Sequence, residues 1–364
     1  MQKQNTDVTI IGGGAAGIMA AITLKRKYPD KQVILTDRTF ALGRKILVCG
    51  AGRCNITNVN LENGPQGHYY GAEASFVSAV MERFAYEDIV NFFADLGVEV
   101  YVELKRSIGK LFPVTNRADT ITEMLIDELN RLGVKVWLNS EVTGITPADE
   151  GFDIQLSHTV REQSLTLRST VCILAAGGKT YPALGSNGSG YDLAESLGHT
   201  IIEPVPSALP VEAENELSDK LQGIRVEMEA TAVIEGKDGK QSTDEVMFTK
   251  YGLSGPAILN ISREISIHIN RHGGSSAGIR LNAFPGLSED NVIELLEKRW
   301  TKRPDQLVNV SMYGLFPNKV ADVFSELAGL PDRTSGSLTP AEKKEACRNN
   351  DRVHNSCYSN PHME

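Results

Sequence analysis

The sequence predicts an α/β protein built on a doubly wound, mostly parallel sheet, with a second, mixed part following it in the chain. Three features carry that expectation. Residues 8–11 (VTII) are β-formers that run straight into Gly12-x-Gly14-x-x-Gly17, and an alanine-rich helix follows at once. This strand–turn–helix order is the dinucleotide-binding fingerprint. A second strand, QVILTD, ends on Asp37, twenty positions after Gly17, where an acid can accept hydrogen bonds from ribose hydroxyls. The run VCILAAGG (171–178) is short, apolar and unbroken, as a strand buried on both faces of a parallel sheet should be.

Within the fingerprint each glycine has its own task. Gly12 permits the tight turn, Gly14 lets the backbone approach a pyrophosphate, and Gly17 lets the helix pack close to the strand. The phosphates then meet unpaired N–H groups at the helix N-terminus. Pro29-Asp30 breaks the first helix before the second strand resumes. Next comes a second glycine cluster, ALGRKILVCGAGRCNITN (41–58), placed where a doubly wound fold returns across a bound dinucleotide. Arg44 and Lys45 can neutralise phosphate charge there, and Asn55, Thr57 and Asn58 offer donors and acceptors suited to a ring with amide-like edges. A helix is expected around 76–96, ending at Gly97. Another is expected over 120–132, opened by the capping box Thr120-x-x-Glu123, with Ile121, Leu125, Leu129 and Leu132 on one face and Gly133 as its stop. GVKVWLNSEV (133–142) reads as a strand, and the alternating residues between it and 171 read as β-ribbon. The texture changes at Pro204. Residues 1–200 are expected to form the nucleotide domain and 201–340 an insert, β-rich over 201–284 and helical over 285–340.

Composition narrows the function. A chain of 364 residues with 41% hydrophobic and 23% charged residues is that of a soluble globular protein of about two domains. Its net charge of −9, from 46 acids and 37 bases without a basic run, argues against nucleic acid as a partner. With a strand starting at Val8 there is no room for a signal peptide, and no apolar run is long enough to cross a membrane, so a cytoplasmic location is expected. Five irregularly spaced cysteines do not make a disulfide framework and are expected to be reduced. Cys49 and Cys54 form a C-x4-C pair similar to the redox pair of flavoprotein disulfide reductases. Such enzymes also need a second nucleotide fingerprint and a C-terminal His-Glu pair, and neither is in the sequence; the cluster GSNGSGYDL (185–193) follows Tyr181-Pro182 rather than a strand. His268 and His272 have the spacing of a helical zinc pair, but ISIHIN reads as a strand, which would hold them ~13 Å apart and exclude a shared metal. Tyr181 and Tyr251 can line a pocket or simply occupy turns. No nucleophile triad or carboxylate pair stands out, as expected where a cofactor carries the chemistry.

GRKILVCGAGRCNITN, GKLFPVTNRADTITEMLIDELNRLGVKV, ILAAGGKTYPALGSNGSGYDLAESLGH, LQGI and VMFTKYGLSGPAILNISR together resemble the HI0933-like (YhiN/BaiN) family of FAD-dependent flavoproteins, in order along the chain to about residue 340. The resemblance implies a Rossmann-like FAD-binding domain of the glutathione-reductase type, with an inserted β-barrel-like domain and a small helical one. Carried over, the FAD contacts are Gly12, Gly14, Ala15, Ala16 and Gly17 in the turn, Asp37 and Arg38 at the ribose, and Arg44 and Lys45 at the pyrophosphate. Gly52, Cys54, Asn55, Thr57 and Asn58 lie near the flavin, Val142 holds the adenine through its backbone, and Ala176, Gly177 and Gly178 support the pyrophosphate. Position 49 departs from the family, which more often has serine there. The implied activity is hydride transfer between flavin and a small organic substrate, in amine oxidation of the aminoacetone oxidase type or in reduction of unsaturated steroid-type ketones, with NAD(P)H as a transient co-substrate.

The tail departs further. The family closes its FAD site with a final strand and a glycine-rich helix N-terminus, whereas ACRNNDRVHNSCYSNPHME, from Ala346, contains no Leu, Ile or Phe. Residues 341–364 are therefore expected to be an aberrant, disordered tail beyond a short helix continuing from AEKKEA. A frameshift accounts for this composition, which keeps an inactive, truncated product as the alternative to an enzyme.

Overall fold

The computed structural model describes residues 3–69, 74–104, 109–161, 163–212, 216–343 and 353–356. The chain divides into two compact units, Met1–Ile202 and Glu203–Glu364.

The strands of the first unit are β1 (Lys3–Ile11), β2 (Val33–Thr36), β3 (Thr57–Asn58), β4 (Val100–Glu103), β5 (Lys110–Pro113), β6 (Lys135–Trp137), β7 (Ser140–Ala148), β8 (Gly151–His158) and β9 (Ser164–Leu174). Its helices are α1 (Ala15–Lys27), α2 (Arg44–Val48), α3 (Ala74–Met81), α4 (Tyr86–Asp95), α5 (Ala118–Arg131) and α6 (Ser189–Ser196). The main sheet has the order β6-β2-β1-β9-β8-β7. Its first four strands run parallel, β8 adds antiparallel to β9, and β7 antiparallel to β8, as the expected ribbon. A smaller antiparallel sheet has the order β3-β5-β4. Parallel neighbours require crossovers, and α1 supplies the first. It buries Ile18, Ala21 and Ile22 in the core formed by Val8 and Ile10 of β1 and Leu35 of β2, where Ile121, Leu125 and Leu129 of α5 also pack. Each such fully buried aliphatic side chain contributes about 1.5–3 kcal/mol.

Four local expectations change. The helix expected over 76–96 is two helices, because the Ala85 N–H donates to Asp88 Oδ2 at 2.7 Å and starts α4 afresh. The strand expected over 133–142 breaks between β6 and β7, where Asn139 takes a left-handed φ of 51°. The capping box expected at Thr120 does not open its helix, since α5 already begins at Ala118 with Arg117 as its N-cap. The apolar run at 171–178 leaves its strand at Leu174, and Val171 is 45% exposed, so it is not covered on both faces.

Inside this unit the buried Glu128 carboxylate accepts from Arg26 Nε at 2.8 Å and from Arg131 Nε at 2.6 Å. The Arg131 hydrogen bond, with Arg26 adding to it, holds this carboxyl below its ordinary value despite its burial. The fold thus favours the charged form. Its stabilising contribution is complete at neutral pH and is lost as pH falls through the carboxylate range into the depressed folded value. Glu128→Gln is expected to lower stability at pH 7 by about 2 kcal/mol, and the difference from the parent should shrink in denaturant melts at acid pH. A gap unchanged between pH 7 and pH 3 would show that charge is not what the carboxylate contributes.

The second unit contains β10 (Val211–Glu212), β11 (Arg225–Ile234), β12 (Lys237–Thr249), β13 (Gly252–Ser254), β14 (Ala277–Asn282) and β15 (Val353–Ser356), in the sheet order β10-β13-β12-β11-β14-β15, all antiparallel. Helices α7 (Glu216–Lys220) and α8 (Pro256–Ser266) are set among the strands, and α9 (Glu289–Lys302), α10 (Val308–Met312) and α11 (Asn318–Leu327) follow them. Ile258, Ile261 and Ile265 of α8 pack with Met228, Val246 and Phe248 of the sheet, and the same core takes in Trp300, Phe316 and Phe324. The fully buried indole is satisfied, with Trp300 Nε1 donating to Ser311 Oγ at 2.9 Å.

The segment ISIHIN is not a strand. It completes α8 and continues as a π-helical turn over Ile267–Arg271, so the strand argument against a shared His268–His272 metal does not hold. Among the described residues no group of three or more His, Cys, Asp or Glu is placed to hold an ion. In the tail, residues 340–343 are helical and Val353–Ser356 pairs with β14. For those four residues the structure differs from the expectation of disorder. Adding an edge strand uses main-chain hydrogen bonds and does not require the apolar side chains the tail lacks. The rest of the tail lies outside the described residues.

Candidate functional site

The three fingerprint glycines have three different surroundings. Gly12 has φ +108°, and a Cβ there would lie 2.4 Å from the Ala175 carbonyl oxygen, so the β1 and β9 ends approach at backbone distance. A Cβ on Gly17 would lie 1.8 Å from the Gly12 oxygen, which is how closely α1 sits on the turn. Around Gly14 a Cβ would meet nothing within 4 Å. Gly14 faces open space at the start of α1, beside the exposed Ala15 and Ala16. That helix carries no acid in its own first turn and ends on Lys25, Arg26 and Lys27, so the positive end of its dipole lies at the open side of Gly14.

Over this turn opens a cleft of about 240 Å3, lined by residues 12–16, Asp37, Thr39, Ala41, Gly43, Arg44, Lys45, Ala175–Gly177 and Leu184–Ser186. A recess of about 40 Å3 shares Gly12, Asp37, Ala176 and Gly185 with it and runs on to Arg38, Glu141, Val142 and Ser189. Among the described residues Asp37 is the one acid lining the larger cleft. Its carboxylate is held from both sides: Oδ2 accepts from the Gly13 N–H at 2.6 Å, and Oδ1 accepts from the Thr39 N–H at 2.7 Å and the Thr39 hydroxyl at 2.6 Å. Arg44 stacks over Phe40 at 4.8 Å, and Lys45 Nζ donates to the Thr180 carbonyl at 3.3 Å. In the recess Arg38 pairs with Glu141 at 3.6 Å, and a register shift between Val142 and Gly144 interrupts the β7–β8 ladder.

The structure therefore brings Gly12, Gly14, Ala15, Ala16, Asp37, Arg44, Lys45, Ala176 and Gly177 to one cleft, and Arg38 and Val142 to its extension. Gly17 lies beneath, packed on the turn. Gly52, Cys54, Asn55, Thr57, Asn58 and Gly178 line neither space. Asn58 Oδ1 accepts from the Asn60 N–H at 2.9 Å, Thr57 is buried in β3, and a Cβ on Gly178 would come within 3.1 Å of the Tyr191 hydroxyl. Sequence reasoning missed Thr39, Gly185 and Ser186. The GSNGSG cluster signalled the last two, but it reaches the cleft through a 3-10 turn over Pro182–Leu184 instead of a strand. Tyr181 opens that turn at φ +60°, and it is exposed, as is Tyr251.

A crossover-linked parallel sheet with this turn and cleft defines a dinucleotide-binding α/β protein. The model of the HI0933-like protein Rossmann domain matches residues 6–339, and the chain belongs to that family of FAD-dependent oxidoreductases. It is 31% identical over 342 residues to the 3-dehydro-bile acid delta(4,6)-reductase of Clostridium scindens, covering 94% of this chain and 80% of that protein. It is 28% identical to a ribosomal RNA dihydrouridine synthase of Haemophilus influenzae, over 94% of this chain and 79% of the other. An E. coli quinol fumarate reductase superposes with a TM-score of 0.48 at 15% identity, over 82% of this chain and 58% of the other, too loosely to carry an argument. No helix among the described residues is long and apolar enough to cross a membrane.

Proposed function

We propose that the protein is an FAD-dependent reductase of carbon–carbon double bonds conjugated to a carbonyl, acting on a small organic substrate. The observation that carries the reaction class is that the relatives' names agree. A delta(4,6)-reductase of an oxo-steroid and a dihydrouridine synthase both denote the saturation of such a bond. The net charge of −9 favours the small molecule over an RNA substrate.

The cleft fits the adenosine-diphosphate half of FAD. The open face of Gly14 admits a phosphate to the α1 N-terminus, Arg44 and Lys45 stand at its flank, and Asp37 offers the remaining lone pair of Oδ2 to a ribose hydroxyl. Ala176 and Gly177 line it from just past the end of β9, and Val142 lies where the recess would take the adenine. Bound FAD supplies hydride transfer at its isoalloxazine ring; the protein's part is to hold the ring and substrate in line. NAD(P)H is not part of this proposal.

The test is reconstitution of the full chain with FAD, followed by anaerobic reduction with dithionite and addition of a 4-en-3-one steroid. A yellow protein with about one FAD per chain, whose reduced flavin is reoxidised by the enone, is the expected result. A protein that retains no flavin but binds NADH tightly would overturn the cofactor. Flavin reduced by a primary amine and indifferent to the enone would replace the reductase reading with an oxidase.

A further inference from the structure

We propose that Cys49 and Cys54 are a redox-convertible dithiol that a hydroperoxide closes to an intramolecular disulfide. The pair stands at the end of α2 in a turn of unusual backbone. Gly50 and Ala51 both have φ 57°, Gly52 has φ 80°, and Cys54, a residue with a Cβ, has φ 61°. Left-handed backbone at a residue other than glycine persists only where its surroundings enforce it. Here the enforcement is visible. The Cys54 N–H donates to the Cys49 carbonyl at 3.1 Å and draws the two residues together. Arg53 between them stacks 4.0 Å over Phe112 and pairs with Glu103 at 2.8 Å, tying the turn to β4 and β5. A Cβ on Gly50 would lie 2.9 Å from the same Phe112 ring, so the turn is seated without slack. The result is that the turn holds the Cys54 thiol beside that of Cys49.

The two sulfurs are not equivalent. Cys49 is partly exposed, and the hydrogen bond from Cys54 brings its thiol down to about 7, whereas Cys54 is buried and its thiol is pushed well up by that same contact and by burial. Cys49 is thus the nucleophile and Cys54 the resolving thiol. The Cys49 thiolate attacks one oxygen of the hydroperoxide, the O–O bond breaks, and the departing oxygen takes a proton to leave as water or an alcohol. The Cys54 sulfur then displaces the hydroxyl of the Cys49 sulfenic acid, forming the S–S bond and releasing water. Both cysteines are oxidised by one electron each, and a dithiol reductant returns them by exchange. Cys172 provides the internal contrast, since burial pushes it up to about 11. This step is separate from the proposed reduction of an enone and does not require a nicotinamide site.

Trypsin supplies the test, because it cuts between the two cysteines at Arg53. Peptides 46–53 and 54–83 carry one thiol each. After treatment of the folded full chain with stoichiometric hydrogen peroxide and blocking with N-ethylmaleimide, the two peptides should appear joined with the loss of two hydrogens and separate on adding dithiothreitol. The joined species should form at least tenfold faster in folded protein than in urea. In Cys54→Ala, alkylation of Cys49 should need a higher pH than in the parent, because the contact that lowers the Cys49 thiol is gone. Peptides that gain oxygen at Cys49 but never join, or that join equally fast in urea, would overturn the proposal.

Discussion

Gly17→Ala is expected to destabilise the first unit strongly, and Gly14→Ala to leave it folded while weakening its hold on FAD. The methyl at position 17 would be placed 1.8 Å from the Gly12 carbonyl oxygen, and a backbone atom cannot rotate away. Nor can the turn retreat. The Gly12 N–H donates to the Thr36 carbonyl at 2.8 Å, and the Ala175 N–H to the Ile11 carbonyl at 2.8 Å, so the turn is stitched between β2 and β9. Moving α1 outward would open the Ile18 and Ile22 contacts instead. Overpacking of this kind costs about 3 kcal/mol or more, a large part of a total stability of roughly 5–15 kcal/mol. The methyl at position 14 meets no protein atom within 4 Å, and its φ of −81° suits any residue, so the thermal midpoint without FAD should match the parent. That methyl would stand between the α1 N–H groups and a phosphate. FAD should bind at least tenfold more weakly, a loss of about 1.4 kcal/mol or more. Thermal melts and flavin fluorescence titrations on both variants decide the matter. FAD binding by Gly14→Ala at the parent affinity would show that the cleft over the turn is not the pyrophosphate site.

The part of this site that could be read in advance is the part whose chemistry is local in sequence. A turn that must reverse between a strand and a helix writes its glycines at fixed spacing, and the acid closing β2 falls at a fixed remove from them, so Gly12, Gly14, Gly17 and Asp37 were legible. Thr39 was not: its role is to hold Asp37, and nothing in a Thr two residues after an acid distinguishes that from a surface turn. Gly185 and Ser186 line the same cleft from far down the chain and carried only a generic loop signal. Alternation misled at ISIHIN, where Ile265, Ile267 and Ile269 mimic a strand. The longer helical repeat of Ile258, Ile261 and Ile265 against β11 and β12 decides the outcome. The C-x4-C spacing was visible, but whether two such thiols touch depends on left-handed backbone angles that a sequence does not display.

Asp37→Asn is expected to weaken both the fold around the cleft and the hold on adenosine, by separable amounts. In the parent the carboxylate accepts three protein donors, the N–H groups of Gly13 and Thr39 and the Thr39 hydroxyl. An amide keeps one oxygen. Whichever way it turns, its NH2 group faces a backbone N–H, either that of Gly13 or that of Thr39. The Thr39 hydroxyl can rotate to accept, but a backbone N–H cannot, so one donor is left unpaired at a cost of about 1–3 kcal/mol in stability. Ligand binding loses a further, independent amount, because a ribose hydroxyl donating to a carboxylate makes a charge-assisted bond, roughly twice as strong as one to a neutral amide. FAD affinity should fall about tenfold to a hundredfold, corresponding to 1.4–2.8 kcal/mol. The position of Asp37 in the chain of contacts makes the outcome specific. ADP, which carries the ribose and both phosphates but no flavin, should lose as much affinity as FAD, and riboflavin binding should be unaffected. A variant that binds FAD poorly but ADP as well as the parent does would move Asp37 from the ribose to the flavin end of the site.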